Sequence, residues 1–129
     1  MDIKKEMLDS KNWAVVGVSA REDKWGYKIW KILREHGYNT YGVNPNYDEI
    51  EGEKIYNRLS DIPEKVDVID MVVAKNISIT TLKEAKDLGI DKIFFQPGTY
   101  DNKVIDEADQ LDLKYLVDDC IYATLKKKE

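Results

Sequence analysis

VVGVSAREDKWGYKIW, residues 15–30, passes from an apolar strand through a single glycine into a cationic loop, and on into a helix. The strand extends back to Trp13, and the run Trp13 to Val18 is almost wholly apolar. A strand of that composition is buried on both faces, as in a parallel sheet covered by helices. Gly17 sits where the chain must turn. Ser19 and Ala20 follow, and then Arg21, Lys24, Gly26, Tyr27 and Lys28. From Tyr27 to His36 the apolar residues Tyr27, Ile29, Trp30 and Leu33 recur at helical spacing, and Gly37 supplies a stop.

The same alternation continues along the chain. Residues 3–11 predict a short amphipathic helix. Thr40 to Val43 is a second strand ending at Asn44-Pro45, and Lys54 to Tyr56 is a short edge strand after a turn at Gly52. VDVIDMVV, residues 66–73, is the second strong strand. A helix capped by Ser78 or Thr80 runs to Leu88 and Gly89. Lys92 to Phe95 is a strand, Asn102 to Leu111 a helix, and Tyr115 to Val117 the last strand. The lysines 126–128 read as a frayed, solvated tail. The pattern predicts an α/β fold: a doubly wound, Rossmann-like parallel sheet with right-handed crossovers and strand order 3-2-1-4-5-6.

Composition narrows the function. The chain has 129 residues, 43% apolar and 35% charged, which suits one domain over 1–129 with its core in 13–120. The net charge of −5 argues against nucleic acid as a partner, because such binding needs a basic face. It leaves room for a local cationic pocket. No apolar run is long enough to span a membrane, and the N-terminus lacks a signal-peptide core. One cysteine forbids an internal disulfide, and a reducing cytoplasm is the expected home.

In such a sheet the ligand lies outside the carboxyl ends of the strands. The residues expected there are Gly17, Val18, Ser19, Arg21 and Lys24 after the first strand and Asn44 and Pro45 after the second. Val73, Ala74 and Lys75 follow the central strand, Gln96, Pro97 and Gly98 the next, and Asp118 and Cys120 the last. Tyr27 and Lys28 stand at the helix start beside them. Small residues, amides, a hydroxyl and cations suit a phosphorylated ligand. A dinucleotide fingerprint would repeat glycine at 19 and 22 and place an acid after the second strand, but Ser19, Glu22 and Asn44 stand there. No G-x-x-x-x-G-K-[ST] string is present, so ATP hydrolysis is disfavoured.

The strings VVGVSAREDKWGYK, LREHGYNTYGVNPNY, EIEGEKIYNRLSDIPEKVDVIDMVV, IDKIFFQPGTY and YLVDDC lie in order within residues 13–120. Together they resemble the small CoA-binding proteins of the YccU-like kind, which are related to the CoA-binding domain of succinyl-CoA synthetase. The resemblance implies coenzyme A, or an acyl-CoA, as cofactor and partner. It implies that Gly17, Ser19, Arg21 and Lys24 hold the phosphates and that Asn44 and Pro45 border the nucleotide. Lys75 would lie near the pyrophosphate or adenosine, while Gln96 and Gly98 shape the pantetheine end. Trp25 departs from the small residue or proline often found there, and Asp119 from the aromatic or basic residue often found beside the cysteine.

Other residues carry weaker signals. His36 is placed at a helix end, where a cation satisfies terminal carbonyls, and it does not match the histidine phosphorylated in succinyl-CoA synthetases. Asp118 and Asp119, on a strand, would point to opposite faces and cannot act as a couple. No Cys/His cluster has metal-ligand spacing. Cys120 reads by default as an inert structural thiol. Its place on the ligand edge adds the expectation of a mixed disulfide with the CoA thiol under oxidising conditions. The reading is therefore a CoA-binding protein without evident catalytic machinery. The alternatives are an NAD(P)-dependent reductase, an acyl-CoA-using enzyme subunit, or an interaction module regulated by CoA.

Overall fold

A computed structural model describes residues 2–129. The chain runs α1 (Ile3–Asp9), β1 (Asn12–Val16), α2 (Trp25–Glu35), β2 (Asn39–Val43), β3 (Glu49–Ile50), β4 (Glu53–Tyr56), β5 (Val68–Met71), α3 (Lys75–Asp87), β6 (Lys92–Phe95), α4 (Asn102–Gln110), β7 (Lys114–Leu116) and α5 (Ile121–Lys126), with one 3-10 turn at Leu59–Asp61. The strands form one sheet in the order β3-β4-β2-β1-β5-β6-β7. All neighbours are parallel except β3 and β4, which form an antiparallel hairpin. Without β3 the order is the expected 3-2-1-4-5-6.

Alternation along β1 sends Trp13 and Val15 to one face and Ala14 and Val16 to the other. Each face has its own core. Trp13 and Val15 meet Met7 of α1, Ile29, Trp30 and Leu33 of α2, and Ile121 and Leu125 of α5. Ala14 and Val16 belong with Leu82 and Ala85 of α3 and Val104 and Ala108 of α4. Helices therefore cover both faces, which is why β1 and β5 carry apolar side chains in both directions.

Several boundaries differ from the sequence reading. Strand β1 ends at Val16 rather than Val18, because Gly17 takes a φ of +103° and turns the chain out of the ladder. The Lys54–Tyr56 segment is not the edge strand. As β4 it lies between β2 and the two-residue β3, which had no periodicity to announce it. Helix α3 starts at Lys75, so neither Ser78 nor Thr80 caps it. Both hydroxyls turn elsewhere: Ser78 is buried and donates to the Thr99 carbonyl at 2.8 Å, and Thr80 donates back to Asn76. The last strand is Lys114–Leu116, so Asp118 and Asp119 are in a loop. They are kept apart by separate partners, Tyr100 for Asp118 and Lys4 for Asp119. The tail is not frayed at its start. Lys126 closes α5 and reaches Glu129, which also meets His36 at 3.0 Å, at the C-terminal end of α2.

Candidate functional site

Gly17 is the hinge of the site. A Cβ there would stand 2.3 Å from the Val72 carbonyl oxygen and 2.7 Å from Val73 Cγ1. Only a glycine permits both that approach and the positive φ. The turn is locked on both sides, by Gly17 N–H donating to Val43 O at 3.0 Å and Val72 N–H donating to Val16 O at 2.9 Å. The ends of β1, β2 and β5 are thereby joined at one point.

Gly26 completes the turn. A Cβ at Gly26 would lie 2.2 Å from Gly17 O and 3.2 Å from Ser19 N. The first turn of α2 therefore rests directly on the loop. This is the work of a third glycine in a dinucleotide fingerprint, done here from a position further along the chain. Ser19 Oγ accepts from Arg21 N–H at 3.1 Å and shapes the loop. Among the described residues, the amides of Ser19 and Ala20 donate no hydrogen bond. Helices α2 and α3 both start at this edge without a side-chain cap, whereas α1 and α4 are capped by Asp2 and Asp101. Open amides and the positive end of a helix dipole suit an anion.

Two clefts flank this turn and share Val73. The first, of about 570 Å³, lies toward β2 and β4 and is bounded by Gly17, Asn44, Pro45, Arg58, Ile77 and Thr81. Asn44 is held by two bonds, Nδ2–H donating to Val18 O at 2.8 Å and Oδ1 accepting from Asn46 N–H at 2.8 Å. Its side chain is committed to the loop, and the carboxylates that line this cleft, Glu84 and Asp87, come from α3 rather than from the end of β2. The second cleft, of about 400 Å³, lies toward β5 and β6 and is walled by Trp25, Ile29, Val72, Gln96, Gly98 and Cys120. It is mainly apolar, with the Gln96 amide as its principal polar group.

Beneath Gln96 lies Asp70, which the sequence reading passed over as part of an apolar strand. It is in the centre of β5, fully buried, and pairs in register with Val15 and Phe94. Gln96 Nε2–H donates to Asp70 Oδ1 at 2.7 Å. Asp70 Oδ2 and Gln96 Oε1 have no partner among the described residues. Burial pushes the carboxyl pKa up to about 8, only partly countered by the Gln96 bond, so the acid is mainly protonated at neutral pH.

The structure brings Gly17, Asn44, Pro45, Val73, Gln96, Gly98 and Cys120 to the clefts and Ser19 to the connecting loop. Arg21 and Lys24 extend from that loop into solvent, Arg21 against Asp23 at 3.3 Å. Other positions fall elsewhere. Val18 is fully buried in the core and serves only through its carbonyl. The Tyr27 ring is also in the core, and its hydroxyl donates to Glu51. Lys75 is exposed at the start of α3 and lines neither cleft. Lys28 sits over the Trp25 ring at 4.8 Å. Arg58, Trp25 and Ile77 were missed as lining residues. Arg58 follows a strand whose parallel pairing was not apparent, and the aromatic and aliphatic side chains read as packing groups. No group of three or more His, Cys, Asp or Glu residues that could hold a metal occurs among the described residues. No helix there is long and apolar enough to cross a membrane.

Known proteins share sequence and fold with this chain. An acetate–CoA ligase (ADP-forming) of Methanocaldococcus jannaschii is 29% identical over 119 residues, 86% of this chain but 17% of the ligase. The uncharacterised protein YneT of Bacillus subtilis is 34% identical over 54% of this chain and 52% of its own length. The chain thus spans only part of the curated relatives it matches. Among solved structures, a conserved hypothetical protein from Pyrococcus furiosus superposes with a TM-score of 0.85 at 36% identity, covering 89% of this chain and 99% of that one. A dinucleotide-forming acetyl-coenzyme A synthetase of Ca. Korarchaeum cryptofilum superposes with a TM-score of 0.76 at 25% identity over 27% of its chain. The CoA binding domain profile matches residues 11–126, and the chain belongs to that family.

Proposed function

We propose that this chain binds coenzyme A or an acyl-CoA across the carboxyl edge of its sheet, and that it acts as a binding domain rather than as a catalyst. The observation that carries the reading is the pair of clefts meeting at Val73 beside the Gly17 turn. Coenzyme A has a nucleotide end and an arm ending in a thiol, and two adjoining clefts offer each half a place of its own. The adenosine end belongs between Asn44, Pro45 and Arg58. The pyrophosphate belongs at the open amides of Ser19 and Ala20, with Arg21 and Lys24 supplying countercharge. The pantetheine arm belongs against Gln96, Gly98 and Trp25. The ligases and synthetases among the relatives make the same ligand class reasonable. Their full activity concerns chains several times longer.

Thermal unfolding with equal excesses of coenzyme A, 3′-dephospho-CoA, acetyl-CoA and NAD tests the reading. A ligand at a hundredfold excess over its Kd stabilises by about 2.7 kcal/mol, which is readily seen in the melting temperature. Coenzyme A is expected to raise it and NAD to leave it unchanged. Stabilisation by NAD alone would return the chain to the dehydrogenase-like readings.

A further inference from the structure

We infer that Cys120 is a covalent docking point for the thiol end of the ligand, loaded by exchange with the ligand's own disulfide. The inference rests on the coenzyme A reading and adds a reaction to it.

Three observations converge on the second cleft. Cys120 is a free, half-buried thiol that lines it, and its side chain makes no capping bond to α5. Gln96, only 3% exposed, lines the same cleft and carries an amide oxygen with no partner. A buried acceptor without a donor is costly, and an amide N–H arriving with a ligand would satisfy it. The pantetheine arm carries two such amides. Third, the cleft joins the anion-binding turn at Val73, so a molecule anchored there by phosphates extends its far end along the wall that holds Cys120. The neighbouring charges do not oppose this. Asp119 is engaged by Lys4 at 2.7 Å and by the Cys120 amide at 2.7 Å, and Asp118 accepts from Tyr100.

The step is a thiol–disulfide exchange and needs no external oxidant. Cys120 loses its proton to solvent, and the thiolate attacks one sulfur of the symmetrical CoA disulfide. The new S–S bond joins Cys120 to one CoA. The old S–S bond breaks, and its electron pair leaves on the second CoA sulfur, which takes up a proton. One disulfide is consumed and one is formed. Selectivity comes from holding the reacting sulfur near Cys120 rather than from an unusually reactive thiol.

The test is intact-mass spectrometry of the full chain with CoA disulfide, against glutathione disulfide at equal concentration and pH. Melting curves of the wild type and of Cys120→Ser with reduced CoA are recorded alongside. The expected result is a single CoA adduct that forms at least about tenfold faster than the glutathione adduct. It should be slowed by excess desulfo-CoA, reversed by dithiothreitol and absent in Cys120→Ser. If no adduct forms, or if it forms no faster than with glutathione, while reduced CoA still raises the melting temperature of Cys120→Ser, covalent docking is overturned and the binding reading stands. If reduced CoA stabilises neither protein, the binding reading falls and takes the inference with it.

Discussion

Gln96 hands its one side-chain hydrogen bond inward to Asp70, at 2.7 Å in the middle of the sheet, and leaves its own oxygen unpaired. The pair has a pH signature. The folded-state pKa of Asp70, about 8, lies far above the usual carboxylate value of about 3.9. The folded state therefore holds a proton that the unfolded chain releases. Stability from this group is fully present below about pH 4 and falls as pH rises towards 8, by at most about 1.4 kcal/mol per pH unit. Asp70→Asn is expected to flatten that fall. Denaturant midpoints between pH 5 and 8 check it, and equal slopes in both proteins would refute a protonated Asp70.

The Gly17 turn should tolerate no side chain. Gly17→Ala combines a φ of +103° with a 2.3 Å approach to Val72 O, and Gly26→Ala brings a methyl to within 2.2 Å of Gly17 O. Each is expected to cost roughly 1–3 kcal/mol. Both should weaken CoA binding beyond what the stability loss explains, because Gly17→Ala pushes the turn away from the end of β5 and Gly26→Ala moves α2 away from the loop. Calorimetric titration at a temperature where the variants remain folded separates the two effects.

The proposed binding mode assigns the exposed cations to different phosphates. Arg21→Ala and Lys24→Ala are expected to weaken CoA by about tenfold or less each, the scale of a charge-assisted bond at a partly solvated site. Arg58 borders the first cleft, where it meets Glu84 at 4.0 Å and Asp87 also lines the wall. Arg58→Ala should reduce the preference for CoA over 3′-dephospho-CoA. If dephospho-CoA binds as tightly as CoA to the wild type, Arg58 has no 3′-phosphate to hold.

Trp25 offers a direct reporter. It is 53% exposed at the mouth of the apolar cleft, while Trp13 and Trp30 are wholly buried. Occupation of the cleft is expected to change the fluorescence of Trp25 alone. Trp25→Phe should abolish the change while leaving the melting temperature nearly as before, since Trp25 is half exposed and phenylalanine keeps an aromatic ring against Tyr122 and Lys28.

The sheet order was legible because β1 and β5 are nearly all apolar and alternate with amphipathic helices. The two-residue β3 and the six-residue α5 were not, since neither is long enough to show a period. Among the site residues, those placed by backbone need were readable: Gly17 at the turn, Gln96 and Gly98 after β6. Residues chosen by type alone were less so. Tyr27 carries a hydroxyl and stands near the loop, but the helical period turns its ring to the core. Asp70 hid in an apolar run because an acid within VDVIDMVV, like Asp67 before it, looks like an outward-facing residue, whereas a strand in mid-sheet has no outward face.

Val73 belongs to both clefts, and that sharing has a thermodynamic consequence. Fragments that fill one side each lose their own translational freedom on binding and should be held weakly. Covalently joined across Val73, they lose it once, and the second half binds at a high effective concentration set by the first. Coenzyme A should therefore bind far more tightly than either 3′,5′-ADP or pantetheine. The two fragments added together but unlinked should not reproduce its affinity.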